Sequence, residues 1–391
     1  MLSLVGPKRS RRSDHEPPVA PRRLHRGWIA WVVGLLAAAT PLWVSRDLPI
    51  VDLPQHSYVV TVLHRLHDPA TLFPRYFERR PEPAPYLGYY ALAGLLAPVV
   101  TLDVANRLFL LACVLGLPLA MAFLLRSLGR PAWPGLLAVP FAYGDNFAWG
   151  FLNWCAAIPL ACLCLGLFVR ALTDVSHRAR WAFGLSIGLL AILALHPVPL
   201  LYLALALPFL MLTTGVEEDR SARTAFDWVR PRLMALAGLV PAGVAGLAWV
   251  VWTALHPTPV EFGVPHRAWG SVLSARNVQF EPFTVNLEAF PTLLANIMKD
   301  ASDRLGLQAV AAVVFLSLAA LLIERRVGRN GPVHGRERLR PPGLALLGAV
   351  CYMALPLNIQ GYVQYLNPRF AQLTAALGLA CLPRLGPRSE R

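Results

Sequence analysis

Residues 27–56 read GWIAWVVGLLAAATPLWVSRDLPIVDLPQH: an apolar run over 27–44, then a sudden segment holding Asp47, Asp52 and His56. A helix over the run approaches the roughly 20 apolar residues that cross a bilayer. Lys8, Arg9, Arg11, Arg12, Arg22, Arg23 and Arg26 precede it, and basic residues beside a first span stay in the cytoplasm because they resist translocation. Leu-Ala-Ala-Ala within the run resembles a signal-peptide cleavage site, but the basic leader is long and the run can span, so 27–44 reads as an uncleaved anchor with a cleaved signal peptide as the alternative. It delivers the two carboxylates to the outer face, and the fold follows from that assignment.

The whole chain carries the same signature. Its 391 residues are 56% hydrophobic, and the mean hydropathy of +0.49 is above the range of soluble globular chains. Further apolar runs lie at 86–101, 104–125, 131–143, 147–169, 180–195, 197–214, 233–255, 305–323, 342–357 and 368–383. The net charge of +14 does not indicate nucleic acid, because it gathers in the leader and in Arg325–Arg340 between two late runs. Counting every run as a span would place that second basic cluster outside. The conflict disappears if 86–101, which opens on Tyr86, Tyr89 and Tyr90, lies at the interface instead of crossing. The expectation is an all-α, polytopic, multi-pass protein with about ten spans and both termini cytoplasmic, in a plasma membrane of bacterial type. Residues 1–26 form a disordered basic cytoplasmic tail, 27–385 the transmembrane domain and 386–391 a second cytoplasmic tail. Outer loops fall at 45–103, 144–147, 256–304 and 358–367.

Chemistry-bearing residues are few. The six cysteines lie inside apolar runs without metal or redox spacing. No phosphate-binding glycine loop, zinc-protease helix or nucleophile elbow occurs. Asp52-Leu53-Pro54 resembles a helix start, with Pro in the first turn. The residues after it place Val59, Val62, Leu63 and Leu66 on one stripe of an amphipathic helix at the membrane surface. Asp52 and His56, one turn apart, can face a shared cleft; the plain alternative is that Asp52 only caps the helix. Asp145, in YGDNFAWGFLN (143–153), reaches the same face, again with a capping alternative. His196, in HPVP, sits at a helix break where its structural use is to bond a freed carbonyl. Arg369 opens the last run from outside, and Arg75, Arg79 and Arg80 lie in the first outer loop. Each of these arginines suits a phosphate and equally suits a snorkel to headgroups. Ionisable residues within the runs are scarce, which weighs against an ion-driven carrier.

In the order and spacing of these features the chain resembles the GT-C superfamily of membrane glycosyltransferases, which includes protein mannosyltransferases and aminoarabinose transferases. The likeness covers 27–215. It rests on a first span, Asp52 at the head of an amphipathic helix, PAPYLGYY (83–90), a span ending in the basic hinge LLRSLGR (124–130), and a second outer Asp, Asp145. The resemblance implies a polyprenyl-phosphate sugar as donor, Asp52 as catalytic carboxylate and Asp145 as the supporting one. Beside it, the residues themselves offer His56 as a further support, Arg75, Arg79, Arg80 or Arg369 for the phosphate, and His196 as a substrate-binding candidate. In some members a divalent metal takes part, which here would fall to Asp52 and His56. Adjacent acidic pairs common in that superfamily are replaced here by Asp52-Leu53. Membrane lipids are the other expected partner. A transporter or flippase using the same cleft, and a non-catalytic scaffold whose carboxylates are caps, remain open on the residues alone.

Overall fold

The structure is a computed structural model, describing residues 27–79, 85–215, 224–256, 278–294, 335–359 and 363–382, with isolated positions between 304 and 315. The tails, Arg80, most of the 256–304 loop and the run at 305–323 lie outside the described residues. The chain is mostly helical, and five helices among the described residues are long and apolar enough to cross a membrane. These are α1 (Gly27–Val44), α5 (Leu102–Ser127), α8 (Leu152–Thr173), α9 (Arg178–Leu195) and the segment Val229–Thr253. That last segment joins α11 (Ala225–Leu236) to α12 (Val240–Leu255). Shorter helices are α2 (Leu53–Arg65), α3 (Phe73–Tyr76), α4 (Gly88–Leu96), α6 (Val139–Ala142), α7 (Asp145–Trp149) and α10 (Pro199–Thr213). The remainder are α13 (Phe283–Leu294), α14 (Arg340–Ala354) and α15 (Arg369–Gly378).

The bundle has two ends of opposite character. Near the start of α5, Arg107 donates to the carbonyls of Leu42, Ser45 and Arg46, satisfying the orphan C=O groups that end α1, while Asp103 pairs with it at 2.7 Å. The two helices therefore run antiparallel, and α5 descends to Arg126. At that far end, Arg130 bonds the Leu382 carbonyl, Arg170 the Ser127 hydroxyl and Arg178 the Ala171 carbonyl, so basic side chains close the helix C-termini. The Asp52 end gathers the loops after α1, α7, α9 and α14. A short antiparallel ribbon of β1 (Val278–Gln279) and β2 (Asn358–Ile359) stands there as well.

One segment returns the chain between these ends in a way the apolar runs did not foretell. Residues 131–143, expected to span as a helix, form a 3-10 helix (Trp133–Ala138) followed by the single-turn α6. A 3-10 helix rises about 2.0 Å per residue against 1.5 in an α-helix, so a short run reaches further. Leu136 passes Gly34, and the Tyr143 hydroxyl bonds the Ala38 carbonyl further up α1. This irregular backbone is tolerable at membrane depth because protein covers it. Gly135 makes the fit possible: a Cβ there would lie 2.8 Å from the Pro118 carbonyl and 2.9 Å from the Ala122 amide. The run at 86–101 has only the nine-residue α4 as its helix, which stays at the Asp52 end beside α2 and the start of α5.

α2 forms where expected, but its buried stripe is rotated from the one read in the sequence. Val60 is wholly buried with His56, Val62 and Leu66, whereas Leu63 is exposed. The cause is tertiary: α2 packs on α4, and Ser57 accepts a hydrogen bond from Asn106 of α5 at 2.8 Å. α8 is the most enclosed helix. It begins at Leu152, five residues later than the apolar run suggested, because Gly150 takes a left-handed φ of +85° and ends α7.

Candidate functional site

Asp52 occupies the N-cap position of α2 without capping it: its side chain makes no cap hydrogen bond, and the residue adopts a helical φ/ψ of −90°/−5°. The half-buried carboxylate is thus available for another use. Its backbone is fixed from outside the helix. The amides of Val51 and Asp52 donate to the carbonyls of Ala148 and Trp149, each at 3.0 Å, tying the loop to the end of α7. Gly150 lies directly beneath, where a Cβ would come within 2.8 Å of Ile50 Cγ2 and 3.2 Å of Asp52 Cβ.

Around this point the fold assembles side chains from five segments. His56 is buried, with Nδ1 at 2.7 Å from the Tyr90 hydroxyl and the Gly150 backbone close by. Burial pushes the His56 pKa below its ordinary value, while the Asp52 charge and the Gly150 carbonyl pull it partly back. Burial likewise raises the Tyr90 hydroxyl to about 12, with neighbouring Tyr86, Tyr89 and Asp52 adding to the shift. Tyr86 holds a left-handed φ of +85°, uncommon and costly for an aromatic residue. It is held there from three sides: its amide donates to the Ala194 carbonyl, its carbonyl accepts from Asn153, and its hydroxyl meets Arg369.

Arg369, placed by α15, is the cation that the fold brings to Asp52, whose charge it feels. Its donors are directed at the Tyr365 carbonyl (2.9 Å), the Gln364 carbonyl (3.1 Å), His196 Nε2 (2.9 Å) and the Tyr86 hydroxyl, and its guanidinium lies 4.1 Å above the Phe151 ring. An arginine so engaged shapes the site and supplies a field; few N–H groups remain for a ligand. Because a guanidinium cannot accept, His196 Nε2 must, and the proton rests on Nδ1. The 3.3 Å approach of the Val198 amide to Nδ1 is then a contact between two donors, not a hydrogen bond. Burial, and next the Arg369 charge, push His196 down to about 3, so it is neutral. His196 thus holds Arg369, in place of the freed carbonyl expected as its partner.

Further out, Phe151, Trp149 and Tyr365 form a stack: Trp149 lies 9° from the Phe151 plane and 28° from Tyr365. Trp149 and Tyr365 keep 37% and 43% of their surface exposed, so the stack offers an open aromatic shelf beside Asp52. Tyr365 too has a positive φ (+52°), and both strained tyrosines contact Arg369.

The remaining expected residues divide. Asp145 is in the first turn of α7, whose N-cap is Gly144, so it is not a cap; it sits at the end of α7 away from the Trp149–Asp52 junction. Arg75 is exposed over its neighbour Tyr76, and Arg79 is also exposed. Arg80 lies outside the described residues. The residues do not fit a ready metal site. His56 Nδ1 is already engaged by Tyr90, and among the described residues no group of three His, Cys, Asp or Glu side chains is arranged to hold an ion. Tyr86, Tyr90, Asn153 and Gly150 were not legible as site residues, because what distinguishes them is backbone conformation and long-range pairing. The phenols of PAPYLGYY (83–90) were the available signal. No family model, curated protein or solved structure matches this chain.

Proposed function

We propose that this protein is a membrane glycosyltransferase that moves a sugar from a polyprenyl-phosphate-linked donor to an acceptor hydroxyl at the Asp52 end of the bundle. About ten crossings, with both termini on the side of the basic helix ends, complete the reading, and that orientation puts Asp52 on the outer face. The observation that carries it is a half-buried carboxylate at a helix start that does not cap the helix and sits among His56, Tyr86, Tyr90 and Arg369.

Asp52 takes the proton from the acceptor hydroxyl as its oxygen attacks the anomeric carbon. The bond from that carbon to the phosphate oxygen breaks, and its electron pair leaves with the phosphate. Arg369, held at the wall of the site, lowers the cost of that developing charge through its field. The Trp149–Tyr365 shelf provides a flat apolar face on which a pyranose ring rests. His56 in its neutral form anchors the turn that aims Asp52, through Gly150 and Tyr90.

The test is transfer from a short-chain polyprenyl-phosphate sugar in proteoliposomes. Asp52→Asn keeps the shape and removes the base, so transfer falls by about 10²–10⁴. Undiminished transfer by Asp52→Asn sinks the reading.

A further inference from the structure

α1 and α5 are pinned together by Arg107 at the Asp52 end and part at the other. Between them lies a cavity of about 660 Å³. From α1, Trp28, Trp31 and Leu35 line it at helical spacings of three and four; from α5, Leu119, Phe123 and Arg126 do the same. Among the described residues the walls are apolar along their length, with Arg126 the one cation, at one end. Arg126 is exposed in the last turn of α5, and among the described residues it forms no ion pair. α1 is also the peripheral helix of the bundle, with Trp28, Ile29, Val32, Val33 and Leu36 all at least 44% exposed, so the cavity opens toward whatever surrounds the bundle.

We infer that this groove is a binding site for an anionic phospholipid, with its phosphate on Arg126 and an acyl chain laid along Leu35, Leu119 and Phe123. Several features of the groove match that ligand. Trp28 and Trp31 have the amphipathic rings that settle at headgroup depth. A guanidinium that meets no carboxylate among the described residues favours a net negative headgroup over a zwitterionic one, and it pairs with phosphate in bidentate geometry. The site is independent of the Asp52 cluster and requires no glycosyl transfer.

The full-length protein in maltoside micelles, titrated with dioleoyl phosphatidylglycerol and dioleoyl phosphatidylcholine under native mass spectrometry, tests it. Tails are identical, so the headgroup decides. Phosphatidylglycerol should bind about five-fold more tightly, the factor expected for one basic residue meeting an anionic lipid. Arg126→Gln should reduce it to the phosphatidylcholine level, and Arg126→Lys should retain the preference. Phosphatidylglycerol with brominated tails should quench tryptophan emission, by a smaller fraction in the Trp31→Phe protein. Equal binding of the two lipids, unchanged preference in Arg126→Gln, or quenching unaffected by Trp31→Phe overturns the assignment. Lipid-free melting of each variant separates loss of binding from loss of fold.

Discussion

Asp52 was legible as a candidate because a carboxylate followed by Leu-Pro at the end of an apolar run has few neighbours of its kind in this chain. The sequence could not say whether it capped α2, since a cap and a catalytic group look alike until the side chain is placed. His56 gives a further expectation at this scale. Its pKa is lowered from 6.5 in the fold, so the unfolded chain binds the proton more readily. The stability it contributes is complete above pH 6.5 and drains away as pH falls from there through the folded value. Thermal melts between pH 7 and pH 5 should therefore show acid sensitivity that His56→Gln reduces; equal sensitivity in both proteins counts against a buried neutral His56. Asn153 is the other decisive side chain. Fully buried, it donates to the Tyr86 carbonyl and accepts from the Tyr89 amide, so Asn153→Ala strands two backbone groups and should cost on the order of 2–4 kcal/mol by denaturant titration.

α7 and the 3-10 segment before it show where apolar periodicity loses its hold at the scale of elements. Hydropathy gave 131–143 and 147–169 as two spans, and length alone would make each an α-helix. The chain instead spends three prolines, Pro131, Pro134 and Pro140, on a stretched path against α5, then ends α7 at Gly150 and starts α8. Gly150 joins two demands, a left-handed φ and a close approach to Asp52. Gly150→Ala should lower the melting temperature by a few degrees, consistent with a strain of about 1–2 kcal/mol. Because the new Cβ displaces Asp52, transfer should suffer beyond what the melt explains. Trp149→Phe, which keeps an aromatic face, should retain transfer that Trp149→Ala loses, mainly through a higher KM; equal KM in both removes the shelf from substrate binding.

Across the whole molecule, the separation into a basic end and an Asp52 end yields a topological expectation. Ser176, between α8 and α9, belongs to the end with Arg126 and Arg170, while Thr71 belongs to the Asp52 end. In a Cys381→Ser background, which leaves buried native cysteines, Ser176→Cys and Thr71→Cys should react with an impermeant maleimide from opposite sides of the membrane. Labelling from one side ends the two-faced arrangement. By itself, the sequence determined that this is a largely helical chain with runs long and apolar enough to cross a membrane, and it led us to expect that 86–101 does not cross and that Asp52 and Asp145 share one face. Those follow from run length, from where arginines can remain, and from parity, all of which are summed along the chain. Only the tertiary structure decided that His56 bonds Tyr90, that Arg369 is committed to Tyr86, Tyr365, Gln364 and His196, and that Asp52 is left uncapped. Those pairings join residues far apart in the chain, and two of them depend on left-handed tyrosines that no local propensity favours. Such conformations persist because the surrounding contacts over-determine them, and those contacts exist only once the helices have packed.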